Sequence, residues 1–152
     1  EFEEFKKCDL IVEAVTENEE IKASVFRKLT PFLSSECLLA TNTSSISITA
    51  LGRVTDRPEK FMGMHFMNPV PIMQLVELIR GIVTSDSTFN SIQDVVKRLG
   101  KDCAVSEDYP GFIINRILMP MINEAVYALL SSIPTLDLKT HHFHKQGQEF
   151  LD

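Results

Sequence analysis

Apolar positions recur along this chain in two alternating rhythms. Asp9 to Val15, DLIVEAV, is apolar almost throughout and rich in Ile and Val, which predicts a parallel strand buried on both faces. Asn18 to Leu33 then reads as a helix: Ile21, Val25, Leu29 and Leu33 recur every four residues, and Phe26 widens the stripe. Asn18 suits the N-cap, Glu19 and Glu20 suit the first turn, and Pro31 should break the last one. Leu38–Thr41 (LLAT) predicts a second strand, Ile48–Leu51 a short helix or turn, and Phe61–Phe66 and Leu75–Ile79 two further strands. The MNPVPI segment between the last two is a turn stiffened by Pro69 and Pro71. Ser85 to Leu99 is an amphipathic helix with Phe89, Ile92, Val95, Val96 and Leu99 inward and Gly100 ending it, and Cys103–Val105 predicts one more strand.

Strand–helix–strand alternation of this kind argues an α/β layered domain with a largely parallel sheet over residues 1–107. Pro110 and Gly111 punctuate the chain. Residues 108–130 begin a second, helical part, in which Phe112 to Leu130 is apolar around most of the helix and calls for cover from further helices or a second chain. Residues 131–152 change character, with weak periodicity, Pro134 and a THHFHK cluster. A solvated, disordered tail is expected there rather than a metal site, since no cysteine or carboxylate constellation accompanies the histidines.

Composition narrows the function. Hydrophobic residues make up 44% of the 152 and charged residues 24%, a globular balance with enough apolar matter for a core. The net charge is −6 with no concentration of Lys and Arg, which argues against a nucleic-acid or anionic-membrane surface. Cys8, Cys37 and Cys103 are widely spaced and odd in number, as expected of reduced thiols in an intracellular protein. The apolar runs are too short and interrupted to span a membrane. The opening EFEEFKK runs straight into a strand with no initiator Met, signal or transit segment, so the expectation is a chain that has lost what preceded it.

The side chains suited to chemistry gather in GMHFMNPVPIMQLVE. His65 ends one predicted strand and Glu77 lies on the next. If the strands are neighbours, a carboxylate meets an imidazole, fixes its tautomer and stabilises the imidazolium. Such a pair can take the proton that an alcohol loses as hydride leaves its carbon. The plainer reading of each residue alone is a satisfied structural His and a strand-edge charge. Asn42-Thr43-Ser44-Ser45 follows a strand, where open α/β sheets place ligands; Ser45 or Ser47 also suits a helix cap. Glu17 and Lys22 lie similarly after DLIVEAV, as ligands of a ribose or phosphate or as solvated helix charges. Asn115 is a polar residue in an apolar helix and needs partners if buried.

Taken in order, DLIVEAVTENEEIK, ATNTSSISIT, GMHFMNPVPIMQLVELIRG and DYPGFIINRILMPMINEAVYAL closely resemble the L-3-hydroxyacyl-CoA dehydrogenases, and the 3-hydroxybutyryl-CoA dehydrogenase branch most. The resemblance covers about residues 1 to 130. It implies the C-terminal part of a Rossmann-like NAD-binding domain, then the first helix of an all-α dimerisation domain. It also implies hydride transfer between C3 of an acyl-CoA and NAD, and a protein that is cytoplasmic, or mitochondrial or peroxisomal in a eukaryote. By position, His65 matches the catalytic base and Glu77 the carboxylate that orients it. Ser44 matches a serine that contacts the substrate's 3-oxygen and also lies on the cofactor side. Asn115 matches an asparagine lining the substrate site, Asn68 a residue near the nicotinamide, and Glu17 and Lys22 positions on the cofactor side.

Two departures shape the expectation. No GxGxxG turn occurs in the 152 residues, and SSIPTLDLKTHHFHKQGQEFLD does not follow the family's pattern after EAVYAL. Without the backbone amides and helix terminus that hold a pyrophosphate, this segment by itself should bind NAD weakly or not at all. A fluorescence titration with NADH that gave low-micromolar affinity would overturn this. The alternative to an enzyme is a catalytically inactive truncated homologue that serves as a binding or structural module.

Overall fold

The computed structural model describes residues 2–132. A 3-10 helix, Phe2–Lys7, leads into β1 (Leu10–Glu13), α1 (Glu19–Leu29) and β2 (Leu38–Thr41). The short α2 (Ile48–Gly52) follows, then β3 (Phe61–Phe66), β4 (Leu75–Arg80), α3 (Asp86–Arg98), β5 (Asp102–Glu107) and α4 (Ile114–Ser132). The five strands form one sheet in the order β1-β2-β3-β4-β5. The pairings β1–β2, β2–β3 and β4–β5 are parallel; β3 and β4 form an antiparallel hairpin in which His65 stands directly opposite Glu77. The sheet is thus largely parallel, as expected, with its direction reversed once at the MNPVPI turn.

Alternation along the strands sends side chains to two cores. Leu39, Phe61 and Ile79 join Ala23, Phe26 and Leu29 of α1 and Ile48 and Leu51 of α2 on one face. Ala40, Met62, Met64, Val76 and Leu78 meet Ile92 and Val96 of α3 on the other. Phe26 and Phe61 have no more than 1% of their surface exposed and pack edge to face at 4.9 Å, each worth about 1.5–3 kcal/mol in burial. Gly63 brings α2 against the sheet: a Cβ there would lie 2.8 Å from Ile48 Cδ1 and 2.9 Å from Ile79 Cβ, closer than carbon atoms approach.

Caps and breaks follow the local chemistry. Asn18 accepts from the Ile21 amide at the start of α1, and Pro31 limits that helix to Leu29, with a 3-10 turn Thr30–Phe32 after it. Ser85 caps α3 and Gly100 follows it at φ 70°.

The strands and helices depart from the sequence pattern in β1, α1 and α3. β1 is shorter than DLIVEAV and is not buried on both faces. It pairs only with β2 among the described residues, and Val12 keeps 39% exposure. The inward stripe of α1 is rotated: Ile21 is exposed, while Lys22, Ala23, Phe26 and Leu29 are buried, because the Lys22 ammonium is drawn inward by carboxylates. Leu99 is also exposed, since it caps α3 instead of continuing its inner face.

The chain divides into two compact units, the first ending at Arg116 and the second beginning at Ile117. Phe112 and Ile113 belong to a turn, not to the predicted helix. Within the second unit Ile117, Met121, Ile122, Val126, Tyr127 and Leu130 are exposed. The THHFHK cluster lies outside the described residues.

Candidate active site

The carboxyl ends of β1, β2 and β3 lie side by side, and the loops leaving β1 and β2 carry most of the polar side chains singled out in the sequence. His65 is the penultimate residue of β3 and is 6% exposed; Glu77, opposite it on β4, is fully buried. The imidazole Nδ1 is 3.1 Å from Glu77 Oε2, and Nε2 is 3.0 Å from Ser44 Oγ. Glu77 has only acceptors to offer as a carboxylate, so Nδ1–H donates to it and Nε2 keeps its lone pair toward the Ser44 hydroxyl. The other Glu77 oxygen accepts from the backbone amides of Ile113, at 2.6 Å, and Ile114, at 3.1 Å, where the chain enters α4. Three donors therefore converge on one buried carboxylate, which meets the cost of removing it from water.

Asn115 joins the same cluster. Its side-chain amide donates to the Ser44 carbonyl at 2.9 Å. The Phe112 ring, 2% exposed, stands 6.1 Å from the His65 ring and walls that side with apolar surface. The chain reaches these positions through a left-handed turn, Gly111 at φ 79° and Phe112 at φ 50°; the second is unusual for a residue with a side chain.

Glu17 holds the Ser44 loop from outside. Its Oε1 accepts from Thr43 Oγ1 at 2.6 Å, from the amides of Ser44 and Ser45 at 2.8 and 3.1 Å, and from Ser45 Oγ at 3.1 Å. Burial works to raise its pKa, but these hydrogen bonds from Thr43, Ser44 and Ser45, and the nearby Lys22 charge, outweigh it and hold the carboxyl below its ordinary value. Lys22 is not a solvated helix charge: it is fully buried and its ammonium donates to Glu13 Oε1 at 2.8 Å and the Val15 carbonyl at 3.1 Å, with Glu17 Oε2 at 3.7 Å. Asn68 is exposed in the turn after β3 and takes no part in this network.

Ser44, His65, Glu77 and Asn115 are thus brought together, Glu17 is tied to the Ser44 loop, Lys22 lies beneath it, and Asn68 stands apart. Sequence reasoning missed Glu13 and Asp108. Glu13 Oε2 also accepts from Thr41 Oγ1 at 2.6 Å, and its signal is a carboxylate inside an apolar strand. Asp108 accepts from Ser47 Oγ and from the Ile48 and Thr49 amides at the start of α2. Burial works to raise its pKa, but the hydrogen bonds from Thr49, Ile48 and Ser47 outweigh it and hold the carboxyl below its ordinary value. The only hint in the sequence is an acidic residue just before Tyr-Pro-Gly. The backbone amides of Ile113 and Ile114 leave no side-chain signature at all.

A family model described as 3-hydroxyacyl-CoA dehydrogenase, NAD binding domain, matches residues 1–109. The chain belongs to the 3-hydroxyacyl-CoA dehydrogenase family. It is 55% identical over 130 residues to a 3-hydroxybutyryl-CoA dehydrogenase of Bradyrhizobium diazoefficiens, a match that takes in 86% of this chain and 44% of that protein. It is 46% identical over 118 residues to the human mitochondrial hydroxyacyl-coenzyme A dehydrogenase, covering 78% of this chain and 38% of the relative. Among solved structures it superposes on the (S)-3-hydroxybutyryl-CoA dehydrogenase of Ralstonia eutropha with a TM-score of 0.86 at 42% identity, over 98% of this chain and 52% of that one. The fold is therefore the family's Rossmann-like NAD-binding fold. The chain spans about half the length of the curated relatives it matches, 44% and 48% for the first two.

NAD is the family's cofactor, and the residues present fit one end of it. The Ser44 hydroxyl beside His65 and the Asn42 side chain, whose oxygen accepts from the Phe66 amide, lie at the strand ends and suit a ribose or a substrate oxygen, while other donors of this loop are taken up by Glu17. The glycine-rich cradle for a pyrophosphate is not among the 152 residues. No helix among the described residues is long and apolar enough to cross a membrane.

Proposed function

We propose that these residues form the reacting centre of an NAD-dependent L-3-hydroxyacyl-CoA dehydrogenase, with a short acyl chain such as the 3-hydroxybutyryl group as substrate. The observation that carries the reading is the Ser44–His65–Glu77 relay, in which one face of a buried imidazole is held by a carboxylate and the other is aimed at a hydroxyl. When bound, NAD supplies the acceptor for the hydride that leaves C3. His65 Nε2 accepts the proton that the 3-hydroxyl gives up, and the C–O bond becomes a carbonyl. Glu77 holds Nδ1–H throughout and stabilises the imidazolium that results. With substrate bound, the Ser44 hydroxyl turns its one proton from Nε2 to the same oxygen and fixes its position, while Asn115 holds the Ser44 backbone in place. In the reverse direction His65 returns the proton to the 3-oxo group. Glu17 acts on the cofactor side through the loop that it ties down, with Lys22 under it, and Asn68 offers an exposed amide toward the nicotinamide end.

The test is reduction of acetoacetyl-CoA by NADH, followed at the NADH absorbance, in the longest natural chain that carries these residues. Turnover with acetoacetyl-CoA and none with free acetoacetate is the expected result. Self-association without turnover would instead support the catalytically inactive truncated module.

A further inference from the structure

We propose that Asp108 is a positioning residue that sets the geometry of the Ser44–His65–Glu77 relay from outside it. It does so by pinning the start of the turn that carries Ile113, Ile114 and Asn115 to the segment that carries Ser44.

Asp108 touches neither the imidazole nor Glu77. Its Oδ2 accepts from Ser47 Oγ and the Thr49 amide, both at 2.8 Å, and its Oδ1 accepts from the Ile48 amide at 2.9 Å. These three donors open α2, immediately after the loop that holds Ser44. A carboxylate on helix-terminal amides has an ordinary structural reading as a remote cap. What carries the inference further is the other arm of Asp108. From there the chain makes its tight turn, with the Phe112 amide on the Tyr109 carbonyl at 2.8 Å. Glycine suits position 111, because a Cβ there would sit 3.2 Å from the Arg116 amide nitrogen, a tight contact, on a left-handed backbone that strains other residues. The turn then delivers the Ile113 and Ile114 amides to Glu77 and the Asn115 amide to the Ser44 carbonyl.

The contacts therefore close a ring. Ser44 leads along the chain to α2, α2 to Asp108, Asp108 through the turn to Glu77, and Glu77 through His65 back to Ser44. Asp108 is the joint farthest from the imidazole. Releasing it removes the tie between this turn and the start of α2, and leaves the Ile113, Ile114 and Asn115 donors held by the β5 ladder behind them, by the turn's own backbone bonds and by the bonds they are meant to make. The relay then loses its fixed tautomer even though none of its own members has changed.

Relay geometry can be read without turnover, from the imidazole and from the amides that face Glu77. In the 15N-labelled chain, His65 is followed by its imidazole nitrogens, and the Ile113 and Ile114 amides by hydrogen exchange. Asp108→Ala should convert the single Nδ1–H form of His65 to a mixture and speed exchange at both amides at least about tenfold. Asp108→Asn, which keeps an acceptor oxygen, should fall between it and the parent. Thr84→Val removes hydrogen bonds to Gly81 and Phe61 at the far end of β3 and β4 and should leave both readouts unchanged. Unchanged His65 and amide signals in a folded Asp108→Ala would overturn the proposal, as would equal changes in Thr84→Val. If Asp108→Ala does not fold, unchanged exchange in Asp108→Asn overturns it equally.

Discussion

His65→Ala should lower kcat for acetoacetyl-CoA reduction by about 10²–10⁴-fold, the range that a positioned general acid–base supplies, with a much smaller change in KM. Glu77→Gln should be nearly as costly, for a reason visible in its hydrogen bonds. The carboxylate accepts on both oxygens: His65 on one, Ile113 and Ile114 on the other. A carboxamide has one acceptor oxygen and an NH2 that can only donate. Either the two backbone amides or Nδ1–H must then face a donor. If the NH2 turns to His65 it favours the wrong tautomer, leaving Nε2–H pointing at the substrate oxygen, and kcat should fall by at least about 10²-fold. If it turns to the amides, the buried amide groups lose their acceptor and stability should fall by about 1–3 kcal/mol. Steady-state kinetics and urea unfolding of the same two variants separate these outcomes. A folded His65→Ala enzyme with parental kcat would remove the proposed base.

Lys22→Met is the second large effect, and it acts on stability. The ammonium is buried against Glu13, with the Val15 carbonyl as a further acceptor. Removing one member of a buried ion pair leaves the other charge without its partner, which costs about 3–5 kcal/mol. Met fills much the same space, so little of the loss comes from packing. Glu13→Gln combined with Lys22→Met should recover most of it, because the pair is then absent rather than half broken. Denaturant midpoints of the single and double variants measure this. A Lys22→Met midpoint within error of the parent would show that the ammonium contributes no net stability there.

The fold was legible where periodicity and local caps agree. Asn18, Pro31, Ser85 and Gly100 marked their boundaries, and Phe61–Phe66 read as a strand and is one. It was misread where a charge moved inward. Lys22 turned the buried stripe of α1 away from Ile21, and no hydrophobic pattern reports an ion pair with a strand nine positions back. In the site, His65 and Glu77 were legible because one hairpin makes them neighbours, and Ser44 because its loop leaves a strand end. Asp108 and the Ile113 and Ile114 amides were not. Their partners lie 36 to 61 positions away along the chain, and a backbone amide looks the same in every sequence.

The hairpin that places His65 opposite Glu77 also makes their meeting digital rather than graded. Side chains alternate faces along a strand, so a pairing slipped by one residue would send one of the two to the far side of the sheet. A slip would also turn Ile79 away from Phe61 and Ile48, and Val76 and Leu78 away from Ile92 and Val96. The burial that fixes the register is therefore the same burial that proofreads the relay: a chain that has packed its two cores has already aligned its acid and its base.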